Sequence, residues 1–139
     1  METFVIIIIV GGFIYLKFKS TPYQPKNFFG GYSETQLAVD MYRVKFNGNG
    51  NTKTDRTIDF CMLRCAELTL EKGYKYFYII DSNTGTDGQI INRQHVYIPS
   101  HPTSNNTITM LKEKPANDNT LYDAAFIVPS YKAKYHIKK

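Results

Sequence analysis

Residues 42–81 read YRVKFNGNGNTKTDRTIDFCMLRCAELTLEKGYKYFYIID, and this stretch decides the fold. Apolar side chains alternate over residues 41–46, which is typical of a half-buried strand. Residues 47–51 are Gly and Asn, which tolerate the positive φ of a tight connection. An amphipathic segment ends at Gly73, and the apolar run over residues 74–81 predicts a further strand. Together these signals predict a β-α-β unit whose two strands lie parallel.

The segment between the two strands has the spacing of an amphipathic helix. Thr52 or Thr54 is expected to cap its first turn. Its predicted apolar face consists of Ile58, Cys61, Met62, Cys65, Leu68 and Thr69. Cys61 and Cys65 lie one turn apart, a spacing that fits a redox or metal pair. No further ligand is near in sequence, so we interpret them as two small buried side chains.

The bulk composition is that of one ordinary globular domain. The chain has 139 residues, of which 42% are hydrophobic, and its 11 Tyr and 9 Phe favour a sheet. The net charge is +5, with an isoelectric point near 9.1. Such a balance is compatible with anionic partners, although a solvated basic surface is the simpler interpretation.

The first segment of the chain is strongly apolar. Residues 4–16 carry no charge, yet a regular spanning helix needs about 20 residues. Three interpretations are open: a short membrane anchor over residues 1–19, the apolar core of a signal peptide, or a buried strand. We favour the anchor, which would contact the membrane through residues 4–18. Residues 20–31 contain two prolines and predict an extended linker, followed by a single domain over residues 32–139.

The rest of the chain is less clearly patterned. Beyond Asp81 the sequence predicts a loop over residues 82–90, a strand over 91–98, a break at 99–102, a strand over 106–111 and a turn-rich loop over 114–120. Residues 121–128 fit a short helix or a strand that ends at Pro129. Over residues 131–137 apolar and aromatic side chains alternate with basic ones, and Lys138 and Lys139 follow. This pattern predicts a basic edge strand or a solvated tail. The alternative is a surface that contacts phosphates or anionic lipid.

Signals for catalysis are weak throughout. The three histidines, His95, His101 and His136, are scattered, and no nucleophile elbow or zinc-protease motif occurs. A Gly-rich loop before a helix can cradle a phosphate, but residues 47–52 lack the phosphate-loop pattern. We therefore predict no catalytic residue, no metal site and no cofactor.

Several short motifs occur together in an order that resembles a known family. They are Tyr23-Gln24-Pro25, Gly30-Gly31-Tyr32-Ser33-Glu34, Tyr42-Arg43-Val44 with Phe46, Gly48-Asn49-Gly50 with Thr52, Arg56, Asp59, Leu63-Arg64-Cys65-Ala66-Glu67 and Gly73. In this order they resemble the CC0125/CC1285 family of small bacterial envelope lipoproteins. The resemblance covers residues 23–81. It implies a periplasm-facing domain tethered to the bacterial envelope and brings no established enzymatic activity.

The sequence departs from this family at its beginning. A lipoprotein needs a Cys at the end of its signal, and none precedes Cys61. Either the anchor is a membrane segment, or the natural start differs.

Arg56 with Asp59 and Arg64 with Glu67 are spaced for ion pairs along the helix or for a docking face. We list the possible binding surface as Tyr32, Arg43, Asn49, Arg56 and Arg64.

These observations lead to one prediction. We expect an α+β fold in which one long amphipathic helix packs on a mixed, mainly antiparallel sheet of about four strands. The predicted function is a non-enzymatic, envelope-anchored periplasmic domain that is structural or binds an envelope protein, with nucleic acid an improbable partner and no small-molecule substrate. The alternatives are a small-ligand binder or enzyme that uses residues 47–52, and a basic-surface binder of anionic lipid or nucleic acid.

Overall fold

A computed structural model describes residues 19–87, 90–91, 96–97 and 101–138 and confirms an α+β fold. All but the last residue of the predicted anchor, residues 1–19, lie outside this range. In chain order the elements are β1 (Gly31–Ala38), β2 (Met41–Asn47), α1 (Thr54–Glu71), β3 (Tyr76–Asp87), β4 (Ile90–Ile91), β5 (Val96–Tyr97), β6 (His101–Leu111), β7 (Tyr122–Asp123) and α2 (Ala124–Lys134). Neither described helix is both long enough and apolar enough to cross a membrane.

The main sheet has five strands in the order β1-β2-β6-β3-β7, and every described pairing is antiparallel. The prediction of a mainly antiparallel sheet is confirmed, but the expected mixed pairing and about four strands are wrong, since the sheet has five strands and only antiparallel pairs among the described residues. Strands β2 and β3 run in the same direction, as the β-α-β pattern predicts, because both are antiparallel to β6. They are not neighbours, since β6 lies between them, which makes the unit a split β-α-β.

Strand β3 continues far beyond its apolar half. It runs to Asp87, so the predicted loop over residues 82–90 is wrong. Residues 81–86 of this extension are polar and exposed, so backbone pairing with β6, and not side-chain burial, stabilises it. The predicted strand over residues 91–98 is also wrong: Ile90–Ile91 and Val96–Tyr97 pair with each other as a small ribbon. The predicted break at residues 99–102 is wrong for its second half, because β6 begins at His101.

Both helices pack on one face of the sheet, here called the covered face. The core lies between the helices and this face. Phe46, Phe60 and Phe77 are 0% exposed there. The predicted apolar face of α1 is right for Cys61, Cys65, Leu68 and Thr69, which are buried, but Ile58 is 37% exposed. The helix also buries Phe60, Leu63 and Ala66, because it is enclosed by the sheet, α2 and the segment that precedes β1. The capping prediction is wrong, since Lys53 is the N-cap residue and no side chain caps the helix.

The predicted short helix or strand over residues 121–128 consists of β7 followed by helix α2, which continues past the predicted end at Pro129 into the predicted basic edge strand. The helix begins after Asp123, whose Oδ1 accepts a hydrogen bond of 3.1 Å from the backbone N–H of Ala125. It continues through Pro129, although proline removes one helical hydrogen bond. Packing of Ala124 and Ile127 against the core compensates for that loss. The interpretation of residues 131–137 as a strand is therefore wrong.

Candidate functional site

The segment before β1 is held against the loop over residues 47–52. Thr21 is 1% exposed, and its backbone N–H donates to Thr52 Oγ1 at 2.9 Å. Thr21 Oγ1 in turn accepts from the backbone N–H of Asn49 at 2.8 Å. The Asn49 side chain donates to the Lys19 carbonyl and accepts from Thr52 Oγ1 at 2.9 Å. The polar atoms that a phosphate would need are thus used to hold the entering chain.

Two glycines allow this close approach. A Cβ at Gly30, where φ is +104°, would lie 2.4 Å from the Asn47 carbonyl oxygen. A Cβ at Gly48 would lie 2.7 Å from Cβ of Thr52. At Gly50, in contrast, an added Cβ would meet nothing within 4 Å. Of the two glycines predicted to set the turn, only Gly48 is required by packing.

Tyr23 inserts between the sheet and α1 and completes a row of four aromatic rings. The Tyr23 centroid is 4.9 Å from that of Tyr32 and 5.4 Å from that of Phe60, which lies 4.9 Å from Tyr135. Burial, together with the hydrogen bond to Glu67, raises the pKa of Tyr23. The sequence patterns place Tyr23 in a linker and miss this role. The only available signal is its position in the Tyr23-Gln24-Pro25 motif of the lipoprotein resemblance.

Arg64 joins α1 to β1 at one end of this aromatic row. It is 7% exposed and its Cζ lies 4.5 Å from the centroid of the Tyr32 ring. Its guanidinium reaches Glu34 Oε1 at 2.6 Å and Glu71 Oε1 at 3.0 Å. Burial opposes the charged form of Arg64, but the hydrogen bonds to Glu34 and Glu71 outweigh this effect and raise its pKa. Arg64 therefore acts as a structural clamp that joins α1 to β1, and the Tyr32 ring packs against its guanidinium.

The two ion pairs expected along α1 do not form. Glu67, the expected partner of Arg64, lies 3.5 Å from Lys132 and accepts a hydrogen bond from Tyr23. Asp59, the expected partner of Arg56, lies 2.8 Å from Lys134. The prediction of these two ion pairs is wrong because α2 supplies the partners of Asp59 and Glu67, while Arg64 pairs with Glu34 of β1 and with Glu71 two turns along α1. Lys132 and Lys134 of the predicted basic edge strand or tail are therefore paired with α1.

Arg56 lies at the other end of the aromatic row. Its Cζ lies 4.9 Å from the Phe60 ring centroid and 5.4 Å from that of Tyr135. Burial, and then the hydrogen bond to Asp59, raise the pKa of Tyr135 to about 12. An open cleft of about 320 Å³ lies beside this pair; its lining is Ser20, Asn51, Lys53, Asp55, Arg56 and Tyr135. A second cleft of about 290 Å³ shares Ser20 and is lined by Asn49.

Arg43 alone of the predicted surface residues points to the other face of the sheet. Its neighbours across the strands are Thr35 and Thr107. It is exposed and forms no ion pair with any residue that the structure describes. The predicted surface is therefore divided among three places: Tyr32 with Arg64 inside the clamp, Asn49 and Arg56 along the two clefts, and Arg43 on the far side.

The face of the sheet that carries Arg43 is here called the open face. Both helices of the described residues pack on the opposite face. Side-chain alternation and strand register assign to the open face Ser33 and Thr35 of β1, Met41, Arg43 and Lys45 of β2, Asn105, Thr107 and Thr109 of β6, and Tyr76, Tyr78, Asp81 and Asn83 of β3. At its edge, Tyr78 donates a hydrogen bond to Asp118. Hydrogen bonds from Thr120 and Tyr78 lower the pKa of Asp118 to about 2.

The two cysteines lie in the core of the covered face. Cys61 and Cys65 are both 0% exposed and are free thiols. Cys61 Sγ donates to the Val44 carbonyl at 3.4 Å, which ties α1 to β2. This environment fits two small packed side chains. Within the described ranges, no three His, Cys, Asp or Glu side chains converge as metal ligands would.

Comparison with known proteins identifies no relative. No protein-family model, no curated protein and no solved structure matches this chain. The lipoprotein resemblance thus stays a prediction carried by the motifs quoted above.

Proposed function

We propose that this chain is a non-enzymatic, membrane-tethered domain of the bacterial cell envelope, facing the periplasm, that binds another envelope protein. The apolar run over residues 4–16 and the lipoprotein resemblance support the tether and the compartment. The observation that carries the binding role is the one-sided sheet. Helices α1 and α2 cover one face, while the open face presents Arg43 with no ion-pair partner among the described residues.

The composition of the open face suits protein recognition. Tyr and Arg are enriched among the residues that dominate binding energy at protein interfaces. Here Tyr76 and Tyr78 lie on β3, and Arg43 lies two strands away on β2, with β6 between them. Thr107 and Thr109 on β6 supply short polar side chains that a partner can approach closely. A flat sheet with a charged anchor and two aromatic rings fits a folded partner better than a small ligand.

The alternative of a ligand binder or enzyme that uses residues 47–52 is less well supported. Asn49 and Thr52 are engaged with Thr21 and Lys19, so their polar atoms serve the chain entry. The alternative of a basic-surface binder is also less well supported, because two of its lysines form ion pairs within the domain. Lys132 is paired with Glu67 and Lys134 with Asp59.

The tether and compartment are tested by cell fractionation with protease accessibility. We expect the chain to stay with the membrane after an alkaline carbonate wash. In spheroplasts, added protease should degrade the domain without cell lysis, and a cytoplasmic control protein should survive. A domain that resists protease until the spheroplasts are lysed would contradict the periplasmic assignment.

The binding role is tested by placing a photo-crosslinking amino acid at Thr107 of the open face. In intact cells we expect a discrete crosslinked product with an envelope protein. The matched control is Leu70, which is 39% exposed on α1, outside the open face. Arg43→Glu should remove most of the product at Thr107, because it reverses the charge directly across the strands from Thr107. Equal crosslinking from both positions would mean that the open face is not the binding surface.

A further inference from the structure

Two phenylalanines project from a rigid turn just before β1. Phe28 is 95% exposed and Phe29 is 59% exposed, and their rings meet edge to face at 5.5 Å. The turn is closed by reciprocal backbone hydrogen bonds between Asn27 and Gly30 at 3.0 and 3.2 Å. Asn27 Oδ1 also accepts from the Phe29 N–H at 2.8 Å. Single exposed apolar side chains are ordinary, but an adjacent aromatic pair held outward on a fixed tip indicates a contact.

This turn lies beside the point where the chain enters the domain. Phe29 and Lys19 line the same cleft of about 290 Å³, together with Pro22 and Asn27. The entry is held in place, since Asn49 donates to the Lys19 carbonyl and Thr21 donates to Thr52. The position of the aromatic tip relative to Lys19 is therefore set by the fold.

The apolar run that we propose as the tether ends close to this entry. Residue 16 is its last member, three residues before Lys19. Three residues span at most about 11 Å when fully extended. A bilayer that holds the run must then lie within about that distance of Lys19, and so beside the aromatic tip. The tip cannot be far from a membrane to which the run is anchored.

The chemistry of the tip matches the surface of an anionic bilayer. Aromatic and apolar side chains partition into the boundary between headgroups and acyl chains, and lysines are attracted to anionic headgroups. Lys19 and Lys26 both precede the two phenylalanines in sequence, and both are exposed.

We propose that the turn formed by Asn27, Phe28, Phe29 and Gly30 inserts its two rings into the headgroup region of the membrane, with Lys19 and Lys26 contacting anionic headgroups. This inference rests on the proposed membrane tether and extends it: the domain is docked on the bilayer in one orientation. The opposite end of the β1–β2 hairpin then points away from the membrane.

The test uses the full chain in vesicles of phosphatidylcholine and phosphatidylglycerol. The protein has no Trp, so Phe28→Trp introduces a single fluorescent reporter at the tip. We expect its emission to shift to shorter wavelength in vesicles and to lose intensity when the acyl chains are brominated. The matched control is Val39→Trp, at an 80% exposed position in the β1–β2 turn. That turn lies more than about 20 Å along the hairpin from the tip, so its emission should be unaffected.

Two further measurements separate failure of the docking from failure of the tether. Flotation of the vesicles reports whether the chain is bound at all. A chain that floats, but whose Trp at position 28 is not quenched, overturns the docking and leaves the tether standing. A chain that does not float overturns both. The double variant Lys19→Glu with Lys26→Glu should still float, yet lose most of the quenching at position 28; quenching that is unchanged would overturn the role of the two lysines.

Discussion

One arginine on each side of the sheet can be compared: Arg64 lies on helix α1, against the covered face, and Arg43 lies on strand β2 of the open face. The two side chains have opposite environments. On the covered face Arg64 is 7% exposed, lies over the Tyr32 ring and is held between Glu34 and Glu71. On the open face Arg43 is exposed and forms no ion pair with the described residues. The comparison teaches that a basic residue in a family-like motif is not by itself a binding residue. Where tertiary contacts supply acidic partners, the arginine becomes part of the scaffold.

The strongest test of this contrast is removal of a core ring from the covered face. Phe60→Ala should destabilise the protein by about 3–5 kcal/mol, because Phe60 is fully buried and contacts Tyr23, Phe46 and Tyr135. Urea denaturation of the detergent-solubilised chain measures the free energy of unfolding. Thr109→Ala on the open face serves as control and should cost less than about 1 kcal/mol. Similar losses for the two variants would show that the open face is covered in solution.

The same substitution at the two arginines gives the next largest difference. Arg64→Met should cost about 2 kcal/mol, because Glu34 and Glu71 lose a charged, partly buried partner. Arg43→Met should change the free energy of unfolding by less than about 0.5 kcal/mol, since it is a surface substitution. Only Arg43→Met should also weaken the crosslinking at Thr107. If the two variants are equally stable, the description of Arg64 as a clamp fails.

Alkaline pH should weaken the covered face by a smaller amount. Burial and the hydrogen bond to Asp59 raise the pKa of Tyr135 from 10.0 to about 12. Its stabilising contribution is therefore complete below pH 10 and is lost as the pH rises to about 12, because the unfolded chain releases the Tyr135 proton first. Thermal unfolding followed across this pH range should show a decline that Tyr135→Phe reduces. A decline that is as steep in the Tyr135→Phe variant would mean that Tyr135 contributes nothing to it.

Part of the fold could be predicted because its signals are local. The alternation over residues 41–46, the Gly and Asn turn and the stop at Gly73 each depend on neighbours a few residues apart. The structure places β2, α1 and β3 accordingly. The burial of Cys61 and Cys65 follows from the same helical spacing. The polar half of β3 could not be found this way, since its side chains are exposed and only pairing with β6 maintains it.

The candidate site was harder to predict than the fold. Tyr23 sits in a proline-containing stretch with no periodicity, yet it bonds to Glu67, which is 44 residues away. Arg64 pairs with Glu34 across 30 residues, in place of the nearer Glu67. Helical spacing ranks the nearest carboxylate first, but side-chain direction and burial select the partner. The motifs group the five residues of the predicted surface, but the structure divides them among the contact around Arg64, the two clefts and the open face.

The sequence by itself determined the strand-helix-strand unit, the small core cysteines and the apolar run ahead of the domain, because each depends on the order of neighbouring residues. Only the tertiary structure decided that β6 lies between β2 and β3, that α2 continues through Pro129, and that Arg64 is enclosed while Arg43 is left open. These outcomes depend on which distant segments meet, since pairing partners and burial compensate for weak local preferences.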